Sequence, residues 1–166
     1  DTRIVKTPDN FFGYQAPHDG GAYAGIYCFY EDDYREYVQG KLKQPLRKGE
    51  VYEISIHVSL ADTCGLAIRS LGFALLNEPK GNPFFLPLQI PFQELTLEED
   101  RYLSDKKEWI ELKTSYIANG EEQFLIIGNF YGNRGTDFIS MDDGKIHPAE
   151  KRVAYYYIDD ICVSSQ

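Results

Sequence analysis

Between residues 51 and 61 the chain alternates strictly: Tyr52, Ile54, Ile56, Val58 and Leu60 are apolar, and Glu53, Ser55, His57 and Ser59 between them are polar. Only a strand sends successive side chains to opposite faces, so this run paves a core with one face and meets solvent with the other. Weaker forms of the same period predict strands over 22–30, 35–42, 68–76, 109–117, 124–131 and 154–164, with a short one over 92–97. No segment carries the period of a long amphipathic helix, although the polar stretch 97–107 has room for one helical turn. Gly49 marks a turn before the first strand named, and Asn119-Gly120 is a hairpin signal between the 109–117 and 124–131 strands. Roughly seven to nine short strands predict an all-β, antiparallel sandwich.

The 166 residues predict a single domain over 1–166, which would bury roughly 70% of its unfolded surface. A net charge of −9 without a Lys/Arg cluster argues against a nucleic-acid partner. No apolar run approaches the roughly 20 residues that span a bilayer, so the chain is not expected to be membrane-spanning. The aromatic set is skewed, with 13 Tyr and 10 Phe against one Trp; tyrosine suits a sheet face or a polar-ligand surface, because its ring is apolar and its tip hydrogen-bonds. The start at Asp1 fits a processed or excised domain. Cys28, Cys64 and Cys162 lack metal-type spacing and are expected to be small buried residues, with Cys28 and Cys162 able to meet if the terminal strands pair.

Two segments interrupt the rhythm. Residues 77–91 contain four prolines and predict an irregular surface loop anchored by Phe84 and Phe85. Residues 132–152 are rich in Gly, Asn, Asp and Pro, and connections of that length are often functional or mobile. The acidic clusters Glu31-Asp32-Asp33 and Asp142-Asp143-Gly144 lack the spacing of a calcium-binding helix-loop-helix and read as solvated loops. The last strand poses a different problem, since Asp159 and Asp160 adjoin within Tyr155-Tyr156-Tyr157-Ile158-Asp159-Asp160-Ile161-Cys162-Val163. A buried, unpaired carboxylate costs several kcal/mol, so at least one of the two must be exposed, hydrogen-bonded or bound to a cation.

Several stretches, taken in order, resemble a known family. They are Thr7-Pro8-Asp9-Asn10-Phe11-Phe12, Gly21-Ala22-Tyr23-Ala24-Gly25-Ile26, Arg35-Glu36-Tyr37-Val38-Gln39-Gly40-Lys41-Leu42, Ser59-Leu60-Ala61-Asp62, Trp109-Ile110, Ile127-Gly128-Asn129-Phe130 and Tyr157-Ile158-Asp159-Asp160-Ile161. Together they resemble the galactose-binding-like jelly-roll domains related to carbohydrate-binding modules, in the variety found in Bacteroidetes cell-surface and secreted proteins. Some of those domains precede OmpA-like domains or belong to gliding and type IX secretion systems. The resemblance implies a jelly-roll β-sandwich, an extracytoplasmic, cell-surface, outer-membrane-associated or periplasmic setting, and non-catalytic binding of a glycan or an envelope protein. It also implies a structural calcium ion, held by Asp159 or Asp160 with Asp9 and carbonyls around Gly20–Ala22. Calcium wants six to eight hard oxygens in a flexible cage.

Sugar binding needs exposed rings beside hydrogen-bonding side chains. If Val38 and Leu42 point inward, Tyr37, Gln39 and Lys41 share an outward face, with His57 outward on its own strand and Arg69 at the mouth of the next. Trp109 either stacks on a pyranose or seals the core edge. His18, His57 and His147 are far apart in sequence, and neither a Gly-x-Ser-x-Gly nor a His-Glu-x-x-His motif occurs, so no catalytic residues are expected. The alternative function is a structural or adhesion domain that contacts other proteins of an outer-membrane, gliding or secretion assembly.

Overall fold

The computed structural model describes residues 6–98 and 101–166. The strands along the chain are β1 (Asp9–Asn10), β2 (Gly13–Tyr14), β3 (Ala24–Phe29), β4 (Tyr37–Lys41), β5 (Val51–Leu60), β6 (Leu66–Ile68), β7 (Ser70–Leu76), β8 (Gln93–Thr96), β9 (Ile110–Ile117), β10 (Phe124–Gly128), β11 (Phe138–Ser140) and β12 (Ala154–Ser165). The helical turn expected within 97–107 falls partly on residues outside this description. The eight longer sheet strands form two four-stranded sheets, ordered β3-β12-β5-β9 and β4-β10-β7-β8, and every pairing is antiparallel. Along the chain these strands alternate between the sheets, except that β7 passes directly to its neighbour β8. That order is the double Greek key of a jelly roll.

The alternation of β5 places Tyr52, Ile54, Ile56, Val58 and Leu60 in the core, where they meet Leu71, Phe73, Leu125 and Ile127 of the opposite sheet. Val38 and Leu42 also face this core, which meets the condition on which Tyr37, Gln39 and Lys41 turn outward. Tyr156 is fully buried among these residues, and its hydroxyl accepts from Ile68 N and donates to Leu103 O, so no polar tip is stranded.

Each sheet has a different cover on its outer side. Across β12 and β3, residues 6–23 lie on a tyrosine-rich surface: Phe12 stacks on Tyr155 at 4.3 Å, Tyr157 Oη donates to Asn10 Oδ1, and Ser59 Oγ donates to Gln15 Oε1. The tyrosine excess is spent here on rings that pack and tips that bond. Across β7 and β10, the proline-rich segment sets Leu88, Ile90 and Phe92 against Ala74, Ile126 and Phe130, with Phe92 and Phe130 stacked at 4.7 Å.

Three expectations are corrected. The anchors of the 77–91 segment are Leu88 and Ile90, while Phe84 and Phe85 stay 79% and 47% exposed. Asn119-Gly120 does turn the chain, with Gly120 at φ 100° and Glu121 at φ 74°, but β9 and β10 belong to different sheets, so the turn is a crossing and not a hairpin. Cys28 and Cys64 are buried and Cys162 is exposed, all three as free thiols. Residues 132–152 are tied down by the pairing of β11 with β6, by a Lys151–Asp142 ion pair at 2.6 Å, and by Asn133 and Thr136 on the guanidinium of Arg35.

Candidate functional site

The antiparallel register sends the expected ligand residues to two different surfaces. Tyr37, Gln39 and Lys41 do share the outward side of β4, but β4 belongs to the β4-β10-β7-β8 sheet and His57 stands on β5 in the other. One sugar-binding surface made of all of them is therefore corrected: the two sheets of a sandwich turn their outer sides away from each other. Arg69, between β6 and β7, pairs with Asp137, its Nη1 lying 3.6 Å from Oδ2. Trp109 is half-buried beside β9, donates its indole N–H to Ala16 O at 2.8 Å and packs against Tyr23, so it pins the N-terminal segment to the core edge.

On the β4 side, a cleft of about 370 Å³ opens where the proline-rich segment leaves the sheet. Glu36, Tyr37, Gln39, Lys80, Asn82 and Phe85 are among its walls. Tyr37 Oη donates to Asn129 O and accepts from Leu88 N, and burial pushes this hydroxyl up to about 12, which keeps it protonated as a fixed strut. Gln39 Oε1 accepts from Lys80 N at 2.7 Å, while both side chains remain exposed. Phe85 lies parallel to Tyr34 at 5.2 Å and 10°, with φ at 52°. A bulky residue with φ in that region is strained, and such strain persists only where the surroundings hold it. Two further bonds tie this segment to Arg35: Arg35 N donates to Phe85 O, and Asn82 Nδ2 donates to Arg35 O.

Arg35 anchors this side from inside. It is fully buried, and its guanidinium donates to Tyr34 O, Tyr131 O, Asn133 Oδ1 and Thr136 Oγ1. Its position ahead of an alternating run suggested nothing of this role, because the partners lie near residue 133.

A groove of about 540 Å³ runs between β4 and the end of β12. Lys41, Lys43 and Arg47 rim it, Val38, Leu42, Leu125 and Ile127 floor it, and its one ring, Tyr52, is buried. It therefore offers no stacking platform.

On the β3-β12-β5-β9 side, the Asp159-Asp160 problem has a backbone solution. Asp159 pairs with His57 and Cys162 with Ser55, so β12 spends one residue more than β5 over this interval. The bulge lets two consecutive carboxylates leave the core. Asp159 Oδ2 accepts from His18 N and Asp19 N at 2.8 and 3.2 Å, and its Oδ1 accepts from Asp160 N. Asp160, at φ 48°, lies beside His57 and His18, its Oδ2 being 3.4 and 3.7 Å from their Nδ1 atoms. The two imidazoles stack at 3.7 Å and 17°. His18 was missed as a site residue because its 39-residue separation from His57 hid the contact, and only the N-terminal segment folding across β5 closes it.

Among the described residues, His18, His57 and Asp160 form a group whose ligand atoms all lie within 4.8 Å of one another, and Asp9 is not in it. Asp9 sits opposite Tyr14 in the β1–β2 ladder. Two nitrogens and one carboxylate do not fit a calcium cage, and the Asp159 oxygens are occupied by backbone N–H donors.

No family model matches the chain, and no curated protein matches it. Among solved structures it is similar to the CBM22-1 xylan-binding domain of Paenibacillus barcinonensis Xyn10C, at 15% identity, TM-score 0.37, over 91% of this chain and 88% of that one. It is also similar to the CBM22-1–GH10 modules of Clostridium thermocellum endo-1,4-β-D-xylanase 10B, solved with xylohexaose, at 13% identity, TM-score 0.39, over 85% of this chain and 24% of that one. The class of the protein is set by its own strand order: a jelly-roll β-sandwich.

Proposed function

We propose that this chain is a non-catalytic carbohydrate-binding module of a bacterial cell-envelope or secreted protein, and that it takes glycan in the cleft beside Phe85. The observation that carries the reading is Phe85 itself: a half-exposed ring held at φ 52° against Tyr34, next to the exposed amide of Gln39 and the exposed Lys80. A sugar presents an apolar ring face and a belt of hydroxyls, which call for an aromatic platform flanked by polar groups. The envelope or secreted setting rests on the resemblance in motif order. A second reading, contact with an envelope protein, is favoured by the consecutive exposure of Phe84, Phe85 and Leu86, since contiguous exposed apolar residues mark interaction surfaces.

Calorimetric titration with xylo-, cello-, manno- and galacto-oligosaccharides tests the first reading. Binding is expected for the wild type and is expected to be lost in Phe85→Gly, whose melting temperature should not fall because glycine adopts the same φ without strain. No binding to any panel member at millimolar sugar, combined with capture of a defined envelope protein that Phe85→Gly abolishes, would replace the glycan reading with the second.

A further inference from the structure

We infer that His18, His57 and Asp160 form a binding site for a divalent transition-metal ion of the zinc class, on the opposite sheet from the glycan cleft and independent of it. Imidazole nitrogen with carboxylate oxygen is a donor set that suits zinc, nickel or copper, whereas calcium and magnesium take oxygen alone. The spacing fits: Asp160 Oδ2 is 3.4 Å from His57 Nδ1 and 3.7 Å from His18 Nδ1. Two ligands at tetrahedral angles on a zinc ion, with bonds of roughly 2.0–2.2 Å, stand about 3.3–3.6 Å apart. An ion therefore fits the two Asp160 spacings, and the stacked imidazoles, whose in-plane lone pairs run side by side, splay apart to turn both nitrogens onto it.

The imidazole of His57 adds an independent observation. Its side chain is only 16% exposed, and its buried Nδ1 has no hydrogen-bond partner among the described residues. Orphaned buried nitrogens are rare in native proteins and point to a further partner. A metal ion would accept its lone pair and also offset the close approach of the Asp160 carboxylate.

The surroundings hold the donors in place. Asp159 accepts the backbone N–H groups of His18 and Asp19, and Trp109 fixes the same segment through Ala16 O. The bulge that sets Asp160 at φ 48° brings its carboxylate beside His57, when regular alternation after Asp159 would turn it toward the core. Outer partners of this kind orient ligands, and their loss typically weakens metal binding by roughly tenfold to a hundredfold. Three protein ligands leave a fourth position on the ion for water or a ligand atom. The ion would join three separate parts of the chain, the N-terminal cover, β5 and β12.

Titration of the chelator-treated chain with zinc chloride at pH 7.5, read by melting temperature and calorimetry, tests the site. One equivalent of zinc should bind, and at a hundredfold excess over the dissociation constant it should raise the melting temperature by about 5 °C or more. Calcium at the same concentration should leave it unchanged. His18→Ala, in an exposed segment, and Asp160→Asn, at an exposed bulge, should each weaken zinc binding by at least the roughly tenfold expected for an outer partner while the metal-free protein still melts cooperatively. Cobalt substitution should give an intense visible band in the wild type and not in His18→Ala. A melting temperature indifferent to zinc, nickel and copper would overturn the inference. So would a zinc shift that survives both variants, or a shift with calcium and not with zinc.

Discussion

On the β3-β12-β5-β9 sheet the outward side of β5 remains polar, with Glu53 and Ser55 partly exposed and His57 under His18 next to the Asp159–Asp160 bulge. On the β4-β10-β7-β8 sheet the outward residues of β7 and β10 include Ala74, Leu76 and Ile126, and the proline-rich segment lies over them. Both sheets obey the same period of two, yet the first is left uncovered along part of β5, beyond the N-terminal segment that lies on β12 and β3, while the second carries a small second core. The difference lies in composition at the alternate positions: polar residues there leave a sheet face able to carry donors, and apolar residues require a cover. The recognition features follow from it, with imidazoles and a carboxylate at the edge of the N-terminal cover and a ring-walled cleft at the edge of the proline-rich one.

The largest expected effect comes from the interior support of the covered side. Arg35→Met should lower stability by on the order of 3 kcal/mol, since it leaves three partly buried carbonyl or amide oxygens and the buried Thr136 Oγ1 without their charged donor. Urea unfolding measures it, and a loss under about 1 kcal/mol would show that water replaces the guanidinium freely. Next comes the cover itself: Leu88→Ala should cost about 2–3 kcal/mol, against within about 0.5 kcal/mol for Ser55→Ala on the open side. Equal costs would erase the distinction between a packed and an open outer face.

A smaller effect is expected at the crossing between the sheets. Glu122 is buried there, and its carboxylate accepts from Tyr116 Oη, Asn119 N and Gly120 N at 2.9, 2.6 and 2.8 Å. Burial pushes its pKa up, but these donors prevail and hold it below the ordinary value. A carboxylate with a depressed folded pKa contributes stability above its unfolded value, and that contribution is lost as pH falls through the folded value. Glu122→Gln should therefore cost about 1–2 kcal/mol at pH 7, and the gap between variant and wild type should close as the pH drops below 4.5. A gap that is constant from pH 7 to about pH 3 would mean that the amide replaces the carboxylate for reasons of shape alone.

The sandwich was legible because burial on one face of a strand leaves a period of two in the chain, and 52–60 carries it without a fault. The same period sets Val38 and Leu42 on one side of their strand and Tyr37, Gln39 and Lys41 on the other. Partnership between strands leaves no such trace. Tyr37 and His57 look equivalent by alternation and still face opposite sides of the molecule, because β4 and β5 belong to different sheets. Asn119-Gly120 encodes positive φ and therefore a turn, but not whether the chain returns beside itself or crosses over. Phe84 and Phe85 read as anchors because they are apolar, although the geometry of the prolines around them delivered Leu88 and Ile90 to the sheet instead.

The chain by itself determined strand character, inward and outward sides, and the need for two adjacent carboxylates to escape the core, since each follows from local periodicity and the cost of burying charge. Only the tertiary structure decided which strands share a sheet, that a bulge frees both Asp159 and Asp160, and that His18 stacks on His57. Those outcomes depend on contacts between residues distant in sequence, whose pairing is selected by the packing of the whole sandwich and by no single segment of it.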